Sequence, residues 1–227
     1  MRTLVTLLAA GCAATIAAAQ AATPETADAR LDRFLTAMGG RAAWAEVQSY
    51  VIHATHHEAN LPRPYANTIY NDFASPRVRI EAKSADVDVQ RAIDGASGWV
   101  RRNGVRSVLT PDQVRDEARW WEANIYRTLH RLAVGDPDLS VRAVGATRLE
   151  VWRADGVRLN WFDLNAAGEP VRFGSWASEE GSLFGPLAQH GKIKCAKWGT
   201  NLTGTWRYEV VELITSPLPS NAHFDQP

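Results

Sequence analysis

Residues 110–137 read TPDQVRDEARWWEANIYRTLHRLAVGDP, and this stretch decides the expected fold. Its first four residues form a capping box with proline at the first helical position, which marks the start of a helix. Apolar side chains then follow at helical spacing, namely Val114, Ala118, Trp121, Ile125, Leu129 and Leu132. Gly135 ends the pattern. The stretch predicts one amphipathic helix over Gln113–Val134, whose apolar face must be covered by another element.

Strand patterns lie on both sides of this helix. From Tyr50 the period of the apolar residues changes to two, and the predicted strands are Tyr50–Thr55, Tyr65–Phe73, Arg77–Ala82, Val87–Ile93, Trp99–Arg102, Val105–Leu109, Arg148–Arg153, Val157–Asp163, Pro170–Trp176 and Trp206–Val210. Asn103-Gly104 joins two of these strands as a tight hairpin turn. Strand runs without alternating helices favour an antiparallel sheet. The sequence therefore predicts an α+β fold, in which a curved antiparallel β-sheet (a half-barrel) wraps a central amphipathic helix.

The loop at residues 154–156 decides which side chains share a face of the sheet. With a two-residue loop, the apolar residues of the first strand would share a face with polar residues of the second. With a three-residue loop they share it with apolar residues, and the glycine takes the left-handed position that such a loop needs. We therefore predict the three-residue loop, with Leu149 and Val151 on the face of Leu159 and Trp161.

Residues 1–22 have the pattern of a signal peptide. Arg2 precedes an apolar stretch over residues 4–19, and Ala19-Gln20-Ala21 fits a signal-peptidase site. The apolar stretch is shorter than the roughly 20 residues that span a bilayer. A second interpretation is a lipobox ending at Cys12, whose lipidation would anchor the chain. The sequence predicts export to the periplasm, with a lipid anchor through Cys12 as the alternative.

The remaining residues, 23–227, contain no internal repeat or linker and predict a single domain with a Pro-rich tail over 217–227. Thr23-Pro24 predicts the start of a first helix, which Gly39-Gly40 ends. The segment 178–205, rich in Gly, Lys and Ser, is expected to be looser than the strands around it.

Composition excludes several functional classes. The 227 residues carry 25 basic and 25 acidic side chains, so there is no electrostatic signature for nucleic acid. Two cysteines cannot form a disulfide-rich scaffold or a four-cysteine zinc site, and Cys195, left alone once the leader is removed, is expected to be buried. His53 and His57 would lie roughly 13 Å apart on a strand, too far to share a metal. Phosphate-loop, Gly-x-Ser-x-Gly and His-Glu-x-x-His motifs are absent, so we predict no catalytic residue, cofactor or metal site.

Three local patterns indicate a family. They are a helix ending in Met38-Gly39-Gly40, a strand pair around Asp155-Gly156, and the run from Trp161 to Asn165 that leads into Gly168-Glu169-Pro170-Val171. Together with the element order over most of residues 25–215, they resemble the periplasmic lipoprotein carriers LolA and LolB and the lipoprotein-binding domain of an envelope-stress sensor. The resemblance implies an open, curved sheet whose concave apolar face holds acyl chains. No ligand-binding residue of that family matches a position here, so none is transferred.

These observations favour a non-enzymatic periplasmic carrier or sensor for a hydrophobic ligand, either a lipid or an acylated protein. The expected cavity lies between the helix and the sheet. Its predicted lining is Trp121, Ile125 and Leu129 from the helix and Leu159, Trp161 and Tyr208 from the sheet. Nine tryptophans suit a cavity that is apolar inside and wet at its rim.

Two alternatives remain open. One is an envelope interaction module that docks a partner protein through a sheet edge or the tail, with peripheral membrane contact through Lys192, Lys194 and Lys197. The other is a secreted hydrolase that uses His190 or Cys195 within the 178–205 segment.

Overall fold

The computed structural model describes residues 25–73, 77–176, 178–216 and Phe224. The helices in these residues are α1 (Ala27–Ala37), α2 (Arg41–Glu46), α3 (Pro111–Glu122) and α4 (Ile125–Val134). The strands are β1 (Ser49–Glu58), β2 (Tyr65–Asp72), β3 (Arg77–Lys83), β4 (Asp88–Asp94), β5 (Ser97–Arg102), β6 (Val105–Val108), β7 (Leu139–Val144), β8 (Arg148–Arg153), β9 (Arg158–Leu164), β10 (Pro170–Ser175), β11 (Ser178–Phe184), β12 (Leu187–His190), β13 (Ile193–Ala196), β14 (Trp198–Asn201) and β15 (Trp206–Thr215).

Thirteen of the strands in the described residues form one antiparallel sheet, in the order β6-β5-β4-β3-β2-β1-β15-β14-β11-β10-β9-β8-β7. The sheet is open, because β6 and β7 are its two edges, and β12 pairs only with β13. The antiparallel α+β prediction is confirmed. The last strand, β15, lies in the interior of the sheet between β1 and β14, where it joins the two consecutive runs of strands.

The predicted single helix over Gln113–Val134 is wrong. The capping box is present at its start, but the chain leaves the helix at Ala123 and begins α4 at Ile125. Asn124 causes the break, because its side chain accepts hydrogen bonds from the backbone N–H groups of Tyr126 and Arg127. A short polar side chain at a cap satisfies donors that would otherwise have no partner in the first turn of α4.

Both predicted hairpin turns are confirmed. Asn103 and Gly104 adopt φ values of 50° and 80°, as a type I′ turn requires. At residues 154–156, the N–H of Arg153 donates to the carbonyl of Val157 at 2.9 Å, and Gly156 has φ of 82°.

The face assignment that we derived from the second hairpin is wrong. A bulge at Leu159 shifts the register, so that Val151 lies opposite Asn160 and Leu149 opposite Phe162. Because side chains alternate along a strand, Trp161, which adjoins Phe162, lies on the other face of the sheet. The loop length was predicted correctly, but the bulge at Leu159 of β9 moves Trp161 to the face opposite the one that we predicted.

Other elements also differ from the prediction. Thr26 caps α1 by accepting from Ala29 N–H, whereas Thr23 and most of the Pro-rich tail lie outside the described residues. The segment 178–205 contains four strands rather than a looser stretch, and β7 was not predicted.

The main core lies between α1, α2, α4 and the sheet. Phe34, Trp44, Leu129, Leu149 and Phe162 are all fully buried there. The β12–β13 hairpin packs on the same core, and its Cys195 is buried as predicted.

A glycine makes that packing possible. Gly39 has φ of 112°, and a Cβ at this position would lie 2.8 Å from the Cα of Ile193 in β13. Only glycine permits both the backbone conformation and the close approach of the hairpin. The Lys194 N–H then donates to the Met38 carbonyl at 2.8 Å, which fixes the hairpin to the end of α1.

Candidate functional site

A cavity of about 590 Å³ lies between α3, the start of α4 and one face of the sheet. Alternate residues of β1 form its floor, as the period of a strand requires, and these are Tyr50, Ile52, Ala54, His56 and Glu58. Neighbouring strands and the helices supply the other walls, with Leu61, Tyr65, Asn67, Ile69, Ile80, Ala82, Val87, Val89, Arg91, Arg102, Trp120, Trp121, Tyr126, Trp206 and Tyr208. The volume falls within the roughly 300–1,000 Å³ range of small-molecule sites.

The polarity of the lining changes along the cavity. Tyr50 and Tyr126 form the inner end, beside the main core, and both are buried. The opposite end lies where β1 and β5 finish and β15 begins. We call this end the mouth and define it by Glu58, Leu61, Arg102 and Trp206, which are half-buried or exposed. A ligand with an apolar body and a polar end would match this gradient.

His56 lies between the mouth and the apolar interior. Its ring packs against the rings of Tyr65, Trp206 and Tyr208, with centroids 5.2–5.9 Å apart. Burial lowers its pKa to about 4, although Glu58 acts in the opposite direction. The imidazole is therefore neutral at neutral pH, and the aromatic lining around it carries no charge.

The phenol groups in the cavity are also neutral. Burial raises the pKa of Tyr50, Tyr126 and Tyr208 above the usual range for tyrosine. The Tyr65 hydroxyl donates to Glu58 Oε1 at 2.5 Å, which raises the pKa of Tyr65 in addition to the effect of burial. The lining therefore presents aromatic surface without phenolate charge.

The two arginines of the cavity are held differently. Arg91 donates to Glu117 of α3 at 2.7 Å, an ion pair that ties the helix to β4 across the cavity wall. Arg102 is exposed at the mouth.

Two buried polar atoms in the lining have no hydrogen-bond partner among the described residues. They are Oδ1 of Asn67 and Nε1 of Trp121. Their residues are 6% and 4% exposed, so bulk water does not reach them freely.

The structure brings together two of the six residues that the sequence predicted for the cavity. Trp121 and Tyr208 line it. Leu129 is fully buried in the main core and Ile125 packs against that core. Leu159 is buried at the bulge and does not line the cavity, and Trp161 lies on the face of the sheet opposite the core residue Phe162.

The sequence analysis missed the floor of the cavity, although its signal was present. Ile52 and Ala54 alternate with His53 and Thr55 in the first predicted strand, and Ile80 and Ala82 alternate with charged residues in the third. Alternation identifies such a face, but it does not show that the face is left hollow rather than filled by a helix.

The structure places Cys195 and His190, the residues of the hydrolase alternative, outside the cavity lining. Burial raises the pKa of Cys195 to about 11, so its thiol stays protonated. No group of three or more potential metal ligands occurs in residues 25–73, 77–176 and 178–216. None of the helices in those ranges is long and apolar enough to cross a membrane.

Comparisons with known proteins identify the fold. No protein-family model matches the sequence, and no curated protein matches it. Among solved structures, a LolA superfamily protein from Nitrosomonas europaea matches with a TM-score of 0.51 and 13% sequence identity, over 89% of this chain and 98% of its own. A DUF1329 family protein from Desulfovibrio piger matches with a TM-score of 0.45 and 10% identity, over 88% of this chain and 98% of its own. At 13% identity the first of these matches, with its TM-score above 0.5, establishes the fold and not the activity. This chain therefore has the LolA-like fold that its sequence resembles.

Proposed function

We propose that this protein is an exported periplasmic carrier or sensor that binds a hydrophobic ligand, either a lipid or the acyl chain of an acylated protein. The observation that supports the proposal most strongly is the cavity of about 590 Å³, whose interior is walled by apolar and neutral aromatic side chains. Burying the apolar surface of a ligand there would contribute about 25 cal/mol per Å², before the cost of ordering the ligand.

The roof of the cavity supports the same proposal. Trp120 and Trp121 end α3 with their rings 4.8 Å apart, and Trp120 is 49% exposed. An exposed indole beside an apolar cavity is suited to the boundary between water and a lipid surface. We therefore include peripheral contact of this roof, through Trp120, with a membrane in the proposed function.

The proposal is tested by a substitution that fills the cavity with a large side chain. Ala82 lines it from β3, whereas its neighbour Lys83 is exposed on the opposite face of the strand. We expect Ala82→Trp to place an indole in the cavity and to weaken binding of the fluorescent probe N-phenyl-1-naphthylamine about tenfold or more, and Lys83→Trp to leave it unchanged. Equal binding by the wild type and both variants would exclude this cavity as the ligand site.

A second candidate function is docking of an envelope partner protein by strand addition. It is favoured by the edge strand β6, in which Val105 and Val108 are 71% and 69% exposed. Val105→Lys should weaken capture of a partner from envelope extracts without affecting probe binding, which separates this function from ligand carriage.

A further inference from the structure

Four aromatic side chains near the mouth lie together on one face of the sheet. His56 of β1 lies opposite Tyr65 of β2 on one side and opposite Tyr208 of β15 on the other, and Trp206 follows on the same face of β15. The ring centroids of Trp206 and Tyr208 are 5.4 Å apart. All four side chains line the cavity, and we call them the aromatic wall.

A carboxylate lies beside the aromatic wall. Glu58 also lines the cavity, is directly opposite Trp206 in the strand register and accepts from the Tyr65 hydroxyl at 2.5 Å. Among the described residues, no basic side chain forms an ion pair with Glu58. The two arginines of the cavity lie elsewhere, because Arg91 is already paired with α3 and Arg102 is four strands away on β5. The negative charge of Glu58 is therefore not neutralised by the protein.

The rings of the aromatic wall differ from other aromatic rings of the protein in having no cation over them. Five tryptophans outside the cavity each have a guanidinium 4.0–5.6 Å from the ring centroid, namely Trp99, Trp152, Trp161, Trp176 and Trp198. No arginine or lysine of the described residues is stacked on Tyr65, Trp206 or Tyr208. Because the face of an aromatic ring attracts positive charge, the aromatic wall offers a cation-binding surface that the protein itself does not use.

We infer that the aromatic wall and Glu58 select a hydrophobic ligand whose polar end is a quaternary ammonium, as in a choline head group. This inference rests on the proposed function and specifies its ligand class. The N-methyl groups of the ligand pack on the rings, and the Glu58 carboxylate balances the positive charge at short range. The apolar chain of the ligand occupies the interior of the cavity.

Other polar ends fit this place less well. A primary ammonium carries three N–H donors that need acceptors, whereas a quaternary ammonium has none to leave unsatisfied on burial. Protonated His56 would also bury N–H donors, and burial lowers its pKa to about 4. The imidazole is thus neutral at neutral pH and does not repel a cationic ligand. An anionic end would be repelled by Glu58.

The experiment measures how well four compounds with the same chain displace N-phenyl-1-naphthylamine from the protein, at physiological ionic strength and below their micelle concentrations. They are dodecyltrimethylammonium, dodecylammonium, dodecanol and dodecyl sulfate. We expect dodecyltrimethylammonium to bind the wild type about tenfold more tightly than dodecanol, because it adds contacts of a cation with the rings and the carboxylate. Dodecylammonium should be intermediate, and dodecyl sulfate should bind most weakly.

A variant that removes the charge tests the role of Glu58. Glu58→Gln keeps an acceptor for Tyr65, and it should reduce the preference for dodecyltrimethylammonium and leave dodecanol binding unchanged. The matched control is Glu209→Gln, which makes the same charge change at an exposed position on the opposite face of β15. We expect this control to bind both compounds as the wild type does.

A pair of substitutions at one position tests the role of the rings. Trp206→Leu should weaken binding of dodecyltrimethylammonium about fivefold, because it removes a ring face but keeps an apolar side chain. Trp206→Phe keeps a ring and should weaken binding less. Thermal unfolding of each variant shows that it is folded.

The outcomes separate this inference from the proposed function. If the wild type binds neither the probe nor any of the four compounds, the proposed function fails. If it binds the probe but takes dodecanol or dodecylammonium as tightly as dodecyltrimethylammonium, the inference alone is wrong. It is also overturned if Glu58→Gln and Glu209→Gln weaken binding of the quaternary ammonium equally, because the attraction would then come from the net charge of the protein.

Discussion

Individual residues determine the chemistry of the cavity. Ile52 and Ala54 give the floor its apolar surface, while His56, two residues further along β1, places an imidazole beside three aromatic rings. A neutral histidine is tolerated there because its burial lowers the pKa to about 4. Protonation would put a positive charge among aromatic groups that exclude most water.

This environment predicts a pH-dependent stability. The pKa of His56 is lower in the folded chain, about 4, than the 6.5 of an unperturbed imidazole, so the folded state binds fewer protons. The contribution of neutral His56 to the free energy of unfolding is fully present above pH 6.5 and is lost as the pH falls toward 4. We expect this group alone to lower the free energy of unfolding by about 2 kcal/mol between pH 7.5 and pH 4.5.

Urea unfolding at the two pH values measures this effect. His56→Gln should show a smaller loss of stability on acidification than the wild type, and His57→Gln, at an exposed neighbouring position, should behave as the wild type does. Identical pH dependence in the wild type and His56→Gln would mean that other groups account for the loss.

At the scale of elements, the break between α3 and α4 positions the roof. Asn160 of β9 holds this break by donating to Thr128 Oγ1 at 2.7 Å and to the Ala123 carbonyl at 3.4 Å. Asn124 caps α4 from the same point. Trp121 therefore faces the cavity, while Leu129 of the next helix packs in the core.

The cap of α4 gives a prediction on stability. Asn124→Ala removes the side-chain acceptor for two backbone N–H groups and should lower the free energy of unfolding by about 1 kcal/mol. Asn124→Ser keeps a capping oxygen and should cost much less. If the alanine variant were more stable than the wild type in urea, the chain would favour one continuous helix.

The second half of the sheet depends on a glycine beside a tryptophan. A Cβ at Gly174 of β10 would overlap the indole of Trp161. We expect Gly174→Ala to destabilise the protein by about 1–3 kcal/mol, as overpacking does in a filled site. Combined with Trp161→Leu, it should cost less than the sum of the single changes, which a double-mutant cycle in urea would show. Simple additivity would mean that the two residues do not interact.

Elements with strong local signals were the ones that the sequence predicted well. The capping box at Thr110 and the Asn103-Gly104 turn act within a few residues, and both formed as expected. The continuous helix failed because Asn124 can occupy either a helix interior or a cap, and the cap gives its side chain two hydrogen bonds. The bulge at Leu159 left no comparable signal, since it depends on pairing with the neighbouring strand.

At the scale of the whole molecule, the joining of the two halves was not predictable. β15 pairs with β1 over most of its length, although some 150 residues separate them in the chain. Such a long-range pairing is decided by the packing of both faces rather than by local propensity. This pairing also places Trp206 and Tyr208 against His56. Because the pairing has no local signal, the sequence analysis predicted Tyr208 for the cavity but neither of these two neighbours.

The fold class was predictable because strand runs around one apolar helix permit few architectures. The cavity was not predictable, because a face that lines a cavity and a face that packs a core show the same alternation. The cavity exists where α3 approaches β4 and β5 without filling the space above β1 and β2.

The central claim is that the cavity holds a hydrophobic ligand. The most direct test is mass spectrometry, under native and denaturing conditions, of the protein purified from the cells that produce it, which also gives the mature N-terminus. We predict a native mass that exceeds the chain by one lipid or acyl group, lost on denaturation and absent in Ala82→Trp. A bare wild-type chain that also fails to take up added dodecanol would contradict the account.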